Sequence, residues 1–230
     1  MSNILTKRKK RRMQKSVNDK ILSQQSYNTL FGIVVLYGLI IDYLLCAYGV
    51  EFAMSINPII LIISYFAFEY LGLLLSIFSK KAIVSFIGYN LLVIPSGLVL
   101  SLVLQEYGGI DTIIVKQAFL YTSIITGVMI TLGILFPKFF EKMSGILFIA
   151  VFGLLIAEII MLIFNIENIL ISWIGAIIYS LYIGYHIYKS QQYKKTVDNA
   201  VDCALDMYLD IIGLFLYILD ILGEAKDKSH

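Results

Sequence analysis

The chain has 230 residues, of which 59% are hydrophobic and 15% are charged, and its formal net charge is +2. Soluble domains usually carry about 25% charged residues, so this composition excludes an ordinary water-soluble globule and predicts an integral membrane protein. The near-neutral balance gives no reason to expect a nucleic-acid partner.

Residues 1–28 form a basic arm. Every position from Lys7 to Arg12 is basic, and no aromatic residue that could stack on bases precedes Tyr27. A secretory signal is not expected, because no small-residue cleavage site follows a short apolar core. The positive-inside rule predicts instead that the arm stays in the cytosol.

Seven apolar stretches follow, and each has about the 20 residues that a membrane-spanning helix needs. They cover residues 30–48, 58–78, 82–104, 119–136, 146–164, 169–188 and 204–222. Short polar turns join them, so helices adjacent in sequence are expected to be antiparallel neighbours. The predicted fold is all-α: a bundle of seven transmembrane helices over residues 29–223, followed by a polar tail at 224–230.

Basic residues fall on alternate loops. The loops that contain Lys80, Lys138 and Lys189 are basic, whereas those at 51–57 and 105–111 hold acids and no base. This alternation predicts a cytosolic N-terminus and, if the last helix crosses fully, an external C-terminus. A re-entrant last helix would instead return the tail to the cytosol.

Some residues within and beside the spans have specific structural roles. Pro95 is expected to kink the third span, and Trp173 is expected to anchor the sixth span at the interface. Cys46 is assigned to the end of the first span and Cys203 to a cytosolic turn, so no disulfide is predicted between them.

The last span carries three acids, Asp206, Asp210 and Asp220. Together they cost about 8 to 10 kcal/mol if all lie deep, whereas the aliphatic residues of this span return only about 3 to 7 kcal/mol. The helix is therefore predicted to lie in the centre of the bundle rather than in lipid.

The acids of the last span share one helical face. Steps of three and four residues connect this polar stripe, which comprises Asn199, Asp202, Asp206, Asp210, Gly213, Tyr217 and Asp220. Such a stripe suits a cation path lined by carboxylates. Asp202 alone is expected only to favour the helix N-terminus.

His186 is the predicted partner of Asp210. The two residues lie equally far from a turn centred near Asp198, so antiparallel helices would place them at the same depth. An imidazole and a buried carboxylate share protons, which makes the pair a candidate pH sensor. A single histidine near a span end is also typical of an interfacial residue.

Other charged residues are weaker candidates for the same polar core. Glu69 is in the middle of the second span and Lys80 follows it. Asp42 and Glu158 also lie within spans, but each is expected to be close enough to a membrane boundary to be wetted.

The amino-acid sequence of the last span resembles that of a known protein family. Its sequence ALDMYLDIIGLFLYIL, residues 204–219, resembles the final-helix signature of the Bax inhibitor-1 family. The resemblance implies a seven-helix fold with the last helix in the centre, and a pH-sensitive calcium leak in bacterial and organelle members. It also implies a pH sensor and gate in which two aspartates of the last two helices share a proton.

The chain departs from the family pattern at several positions. Asp210 stands where the second aspartate falls, but His186 replaces the first. Gly213 stands where asparagine is common and Asp220 where a basic residue is common. Glu69 and Lys80 resemble the acid and the base that the family places on its second helix.

Two functions are predicted from these observations. The first is a pH-sensitive calcium leak channel gated by His186 and Asp210, with Asp206, Asp220, Glu69 and Lys80 along the path. Asp206 and Asp210 would bind the passing calcium. The alternative is a membrane regulator without transport, which would dock a membrane protease or a stress-response partner through its basic arm.

Other functional classes of protein fit the sequence less well. An enzyme is not expected, because there is no nucleophile with a base, no metal-ligand cluster and no glycine-rich phosphate loop. No cofactor and no small-molecule substrate are predicted; the expected partners are the lipid bilayer, calcium and protons. A proton-coupled cation exchanger stays open. The bias toward Ile, Lys, Asn and Tyr is typical of an AT-rich bacterial genome, which indicates the plasma membrane.

Overall fold

Helices make up all the regular structure that the computed structural model of the protein describes, which covers residues 12–13, 21–79, 81–164, 166 and 168–227. In chain order they are α1 (Gln24–Tyr48), α2 (Val50–Ser55), α3 (Pro58–Phe78), α4 (Ala82–Glu106), α5 (Ile113–Leu135), α6 (Pro137–Lys142), α7 (Ser144–Phe164), α8 (Ile169–Gln192) and α9 (Val197–Asp227). The all-α prediction is confirmed over this part of the chain.

Six of these helices, α1, α3, α4, α5, α7 and α8, are long and apolar enough to cross a membrane. Many of their large apolar side chains are exposed; Leu162 and Ile163 of α7 are examples. An apolar exterior of this kind is what lipid requires. The protein is therefore a multi-pass membrane protein, whereas the seventh span and its central position stay predictions.

The last helix, α9, is longer and begins earlier than predicted. It has 31 residues, about 47 Å at a rise of about 1.5 Å per residue. Its start is set by Thr196, whose hydroxyl oxygen accepts a hydrogen bond from the backbone N–H of Asn199 at 3.2 Å, as in an N-cap. Cys203 therefore lies inside the helix and not in a turn, and that prediction was wrong.

Capping also lengthens the first span. The hydroxyl of Ser23 accepts from the backbone N–H of Ser26 at 3.1 Å, so α1 begins at Gln24. Two of the predicted turns hold short helices instead, α2 and α6. The hydrophobic pattern located the spans, while side-chain caps decided where they begin.

The contacts divide the chain into two units. The first contains α1 to α4 and the beginning of α9, up to Tyr208; the second contains α5 to α8 and the rest of α9, from Leu209. In the first unit α4 packs against α1 and α3. In the second, Phe215 of α9 packs on Phe119 of α5, with ring centroids 5.2 Å apart.

Side chains of α9 are deeply buried in each unit. Leu205 and Tyr208 are buried in the first unit, and Leu214 and Leu219 in the second. By contrast Trp173 of α8 is half exposed, as expected of an interfacial anchor.

Candidate functional site

Two antiparallel helices of the second unit, α8 and the later part of α9, face each other in a regular register. A step of three or four residues toward the beginning of α8 corresponds to the same step toward the end of α9. A side chain on Gly175 or on Gly213 would collide with the tyrosine ring that faces it, so glycine at these positions permits close approach of the two helices. The facing pairs are Tyr179 with Gly213, Gly175 with Tyr217, and Ser172 with Asp220.

One turn of α8 beyond this register, His186 contacts Asp210: it lies seven residues after Tyr179, whereas Asp210 lies three residues before Gly213. Nδ1 of His186 lies 2.5 Å from Oδ2 of Asp210. The Asp210 side chain is 7% exposed and that of His186 is 23% exposed, so the carboxylate is buried while the imidazole keeps some access to its surroundings. A short contact between a titratable base and a buried acid responds to proton concentration.

Aromatic rings hold the imidazole in place. The Tyr182 ring stacks on His186 with centroids 5.4 Å apart and an interplanar angle of 30°. The Tyr185 ring lies at 5.3 Å, and its hydroxyl is fixed by a 3.0 Å hydrogen bond with Ser144. Stacked aromatic faces favour a cationic imidazolium over a neutral imidazole.

Two more acids of the second unit are hydrogen-bonded along the same part of α9. Tyr217 donates its hydroxyl to Glu158 of α7, and Ser172 of α8 donates to Asp220. Glu158 was expected to lie at a wet boundary, yet it is held by a residue of the polar stripe. The signal for this contact was the tyrosine within that stripe, which needs an acceptor when it is partly buried.

A separate cluster lies in the first unit, where Arg12 contacts the beginning of α9. Its Nη1 donates to Oδ2 of Asp206 at 2.7 Å, and its Nε lies 3.4 Å from Oδ2 of Asp202. Its backbone carbonyl accepts from Nδ2 of Asn199 at 3.0 Å and from the N–H of Lys194 at 3.3 Å. Arg12 is therefore held through both its guanidinium group and its backbone carbonyl.

Asp202 is fully buried in this cluster. Its Oδ1 accepts a hydrogen bond of 2.5 Å from Ser76 of α3. One turn earlier, Asp198 accepts from Ser85 of α4 at 2.7 Å. The expectation that Asp202 serves only the helix N-terminus was wrong, because α9 starts at Val197 and Asp202 joins it to α3 and Arg12.

Burial and charge set the protonation of this cluster. Burial alone lowers the pKa of Arg12, but the carboxylates of Asp206 and Asp202 outweigh it, so the pKa lies well above its ordinary value. Burial raises the pKa of Tyr193, whose ring faces Arg12 at 5.3 Å, to about 12. Burial likewise raises the pKa of Cys203 to about 11. All three groups keep their protons at physiological pH.

The remaining predicted site residues have partners of several kinds. Glu69 is half-buried in α3, where Tyr65, one turn earlier on the same helix, is its interaction partner. Lys80 lies outside the described residues. Asp206 and Asp210, the predicted calcium ligands, each bind a basic side chain. Within the described residues, no three His, Cys, Asp or Glu side chains are grouped to hold a metal ion.

Sequence reasoning missed Arg12 and misjudged Asp42. Arg12 belongs to a uniform basic run, and nothing in that run distinguishes it from its neighbours. Asp42 was expected to be wetted, but it is 3% exposed. Burial of a single acid depends on the packing of other helices around it, which hydrophobic periodicity does not give.

Six spanning helices with acids engaged between them define a polytopic helical membrane protein. A family model described as "Inhibitor of apoptosis-promoting Bax1" matches residues 20–227. The chain therefore belongs to the Bax inhibitor-1 family.

Individual relatives match over shorter stretches. An uncharacterized protein of Helicobacter pylori strain J99 is 30% identical over 117 residues, 50% of either chain. An uncharacterized protein of Campylobacter jejuni is 30% identical over 134 residues, 57% of this chain and 55% of its own. The chain thus spans about half the length of these bacterial relatives. Bax inhibitor 1 of Saccharomyces cerevisiae is 40% identical over 63 residues, 27% of this chain and 20% of its own.

Proposed function

We propose that this protein is a pH-sensitive calcium leak channel of the bacterial plasma membrane, and that the contact between His186 and Asp210 is its gate. The observation that carries the proposal is the 2.5 Å contact between these side chains on α8 and α9. It stands at the position where the resemblance to the family implies a proton-sharing pair. Membership in the family supports the same activity.

The charge states of the pair give the direction of the pH response. Under mildly acidic conditions His186 is a cation and Asp210 an anion, and the ion pair holds α8 against α9. As the pH rises the imidazole loses its proton and the contact weakens. The leak is therefore smallest at mildly acidic pH and rises as the pH increases toward neutrality and beyond.

The acids further along α9 give the path its preference for cations. Asp220 and Glu158 present carboxylate oxygens beside hydroxyl groups, and calcium prefers oxygen ligands. With the N-terminus in the cytosol, His186 and Asp210 lie toward the cytosolic side of the membrane. Calcium would enter past Asp220 and Glu158 and meet the closed pair before it reaches the cytosol.

Purified protein in liposomes loaded with a calcium-sensitive dye tests the proposal. Wild-type protein should pass calcium faster near pH ~8 than near pH ~5.5, across the imidazole titration. Asp210→Asn removes the ion pair; because a hydrogen bond to a charged group is worth about 1.5 to 3 kcal/mol, the flux at the closed pH should rise about tenfold or more.

The matched control is Asp111→Asn, which makes the same chemical change on an acid that is 94% exposed. Its flux and its pH profile should equal those of the wild type. Calcium entry no greater than in empty liposomes at every pH from acid to neutral would disprove the channel.

A further inference from the structure

Another acid of the first unit, Asp42, is buried without a charged partner among the described residues. It lies in α1, its side chain is 3% exposed, and neither of its carboxylate oxygens makes a hydrogen bond. The hydroxyl of Tyr208, at 0% exposure, is also without a hydrogen-bond partner. Both groups belong to the first unit, and they lie close enough to interact. Two unsatisfied polar side chains that face each other at membrane depth need a compensating group.

Neutral groups surround Asp42. Tyr208 of α9 and Tyr89 of α4 face it, and Cys46 lies one turn along α1. The Tyr89 hydroxyl is engaged by the Val34 carbonyl at 2.9 Å. No lysine, arginine or histidine among the described residues acts on this carboxyl. Its charge is therefore not balanced by any described protein group.

An unbalanced carboxylate here would be costly. An ionised aspartate within a spanning helix is costly, and no ion pair with a described residue offsets this cost for Asp42. A single positive charge, such as one proton or one monovalent metal ion, would neutralise the site. A divalent ion would leave a net positive charge in the same apolar surroundings.

The packing favours a proton over a metal ion. A Cβ added to Gly97 of α4 would lie 2.8 Å from Oδ1 of Asp42 and 2.6 Å from Leu45, so the carboxyl packs directly against the backbone of α4. A hard metal cation needs several oxygen ligands around it, whereas a proton needs one acceptor. The hydroxyls of Tyr208 and Ser96, which face each other beside Asp42, supply such acceptors.

We propose that Asp42 is a proton-binding site in which the carboxyl is held neutral in the folded protein, with Tyr208 and Ser96 as its hydrogen-bonding neighbours. The protonated acid is a donor as well as an acceptor, so small rotations of the facing hydroxyls satisfy all three groups. Any conformational change that wets Asp42 releases this proton, which links the conformation of the first unit to pH. The site does not depend on the proposed leak.

Infrared spectroscopy of the full-length protein in lipid tests the site directly. A protonated carboxyl has a carbonyl stretch at higher frequency than the amide I band. At neutral pH the wild type should show this band, Asp42→Asn should lose it, and the exposed-acid control Asp111→Asn should keep it. No such band in the wild type, or a band that Asp42→Asn leaves unchanged, overturns the proposal.

Thermal unfolding in detergent provides a second readout. Asn resembles a neutral carboxyl in shape and hydrogen bonding, so Asp42→Asn should unfold at the wild-type temperature at neutral pH, whereas Asp42→Ala should unfold at a lower temperature. A stabilisation by sodium over choline chloride that is lost in Asp42→Asn would assign the site to a metal ion and refute the proton.

Discussion

The two acid clusters of α9 use different bases. In the first unit Asp202 and Asp206 hold Arg12, a guanidinium that is 3% exposed and whose pKa lies well above its ordinary value. In the second unit Asp210 holds His186, an imidazole that is 23% exposed. An arginine stays charged at every physiological pH, whereas a histidine changes its charge between about pH 5 and pH 8.

The difference assigns distinct tasks to the two ends of α9. The arginine cluster ties Arg12, α3 and α9 together with contacts that protons do not loosen. In the proposed channel, the strength of the contact between His186 and Asp210 follows the pH.

The largest expected effect is the loss of the first cluster. Arg12→Ala leaves Asp202 and Asp206 without their cation, and removal of one partner from a buried ion pair usually costs about 3 to 5 kcal/mol. The free energy of unfolding in mixed detergent micelles would measure it. The control is Lys116→Ala in the exposed pair with Asp111, which should cost at most about 1 kcal/mol. Equal losses would show that Arg12 is not a structural tie.

The effect of Arg12→Ala should also not depend on pH. A raised pKa on a base gives stability that is fully present below its unfolded value and is lost only as the pH rises through the higher folded value, and for Arg12 both values lie far above the physiological range. The difference between Arg12→Ala and wild type should therefore be the same near pH ~6 and pH ~9. A loss that changes across this range would place a titrating group in the cluster.

In the second unit, by contrast, replacement of the base should change a property that depends on pH. His186→Gln keeps a hydrogen-bond donor but no titratable charge, so calcium flux should lose its dependence on pH between about pH 5 and pH 8. The cost in stability should not exceed about 1.5 to 3 kcal/mol, the value for a hydrogen bond to a charged group. An unchanged pH profile in this variant would remove His186 from the gate.

His186→Asp sharpens that test, because it restores the pair of aspartates that the family resemblance implies. Two close carboxylates share a proton and repel each other once both are ionised. This variant should stay closed under strongly acidic conditions, where the wild-type ion pair is broken by protonation of Asp210. The two flux profiles should therefore diverge on the acid side.

The smallest effect concerns the close packing of α8 against α9 beside the contact of His186 with Asp210. Gly213→Ala puts a methyl group against the Tyr179 ring, and such overpacking costs about 1 to 3 kcal/mol. Gly127→Ala in α5 is the matched control, since no atom lies within 4 Å of its added Cβ, and it should stabilise by up to about 1 kcal/mol. Thermal unfolding would compare them; a stabilised Gly213→Ala would contradict the close approach.

Hydropathy and helical spacing predicted much of the fold. Apolar runs of about 20 residues located the six described helices that are long and apolar enough to cross a membrane. Counting from a turn centred near Asp198 anticipated the contact between His186 and Asp210, but the position of that turn was wrong, because the turn lies at residues 193–196 and Asp198 is inside α9. The start of α9 was misplaced, because the hydroxyl of Thr196 caps the helix several residues before the apolar run begins.

The sequence alone did not predict contacts between residues that are far apart in the chain. Arg12 lies 194 residues from Asp206, and any neighbour in the basic run has the same charge and a similar length. Asp42 and Glu158 were both expected in wet positions, although one is buried by α4 and α9 and the other is held by Tyr217. Such contacts depend on how helices pack together, and a single sequence does not encode this packing in its periodicity.

The placement of Trp173 has a practical consequence. It is the sole tryptophan of the chain, it lies on α8 beside Ser172, and it is half exposed. Its intrinsic fluorescence therefore originates entirely in the second unit, without any attached label. Emission can follow the surroundings of the Asp220 contact in native protein, while the first unit contributes only tyrosine signals.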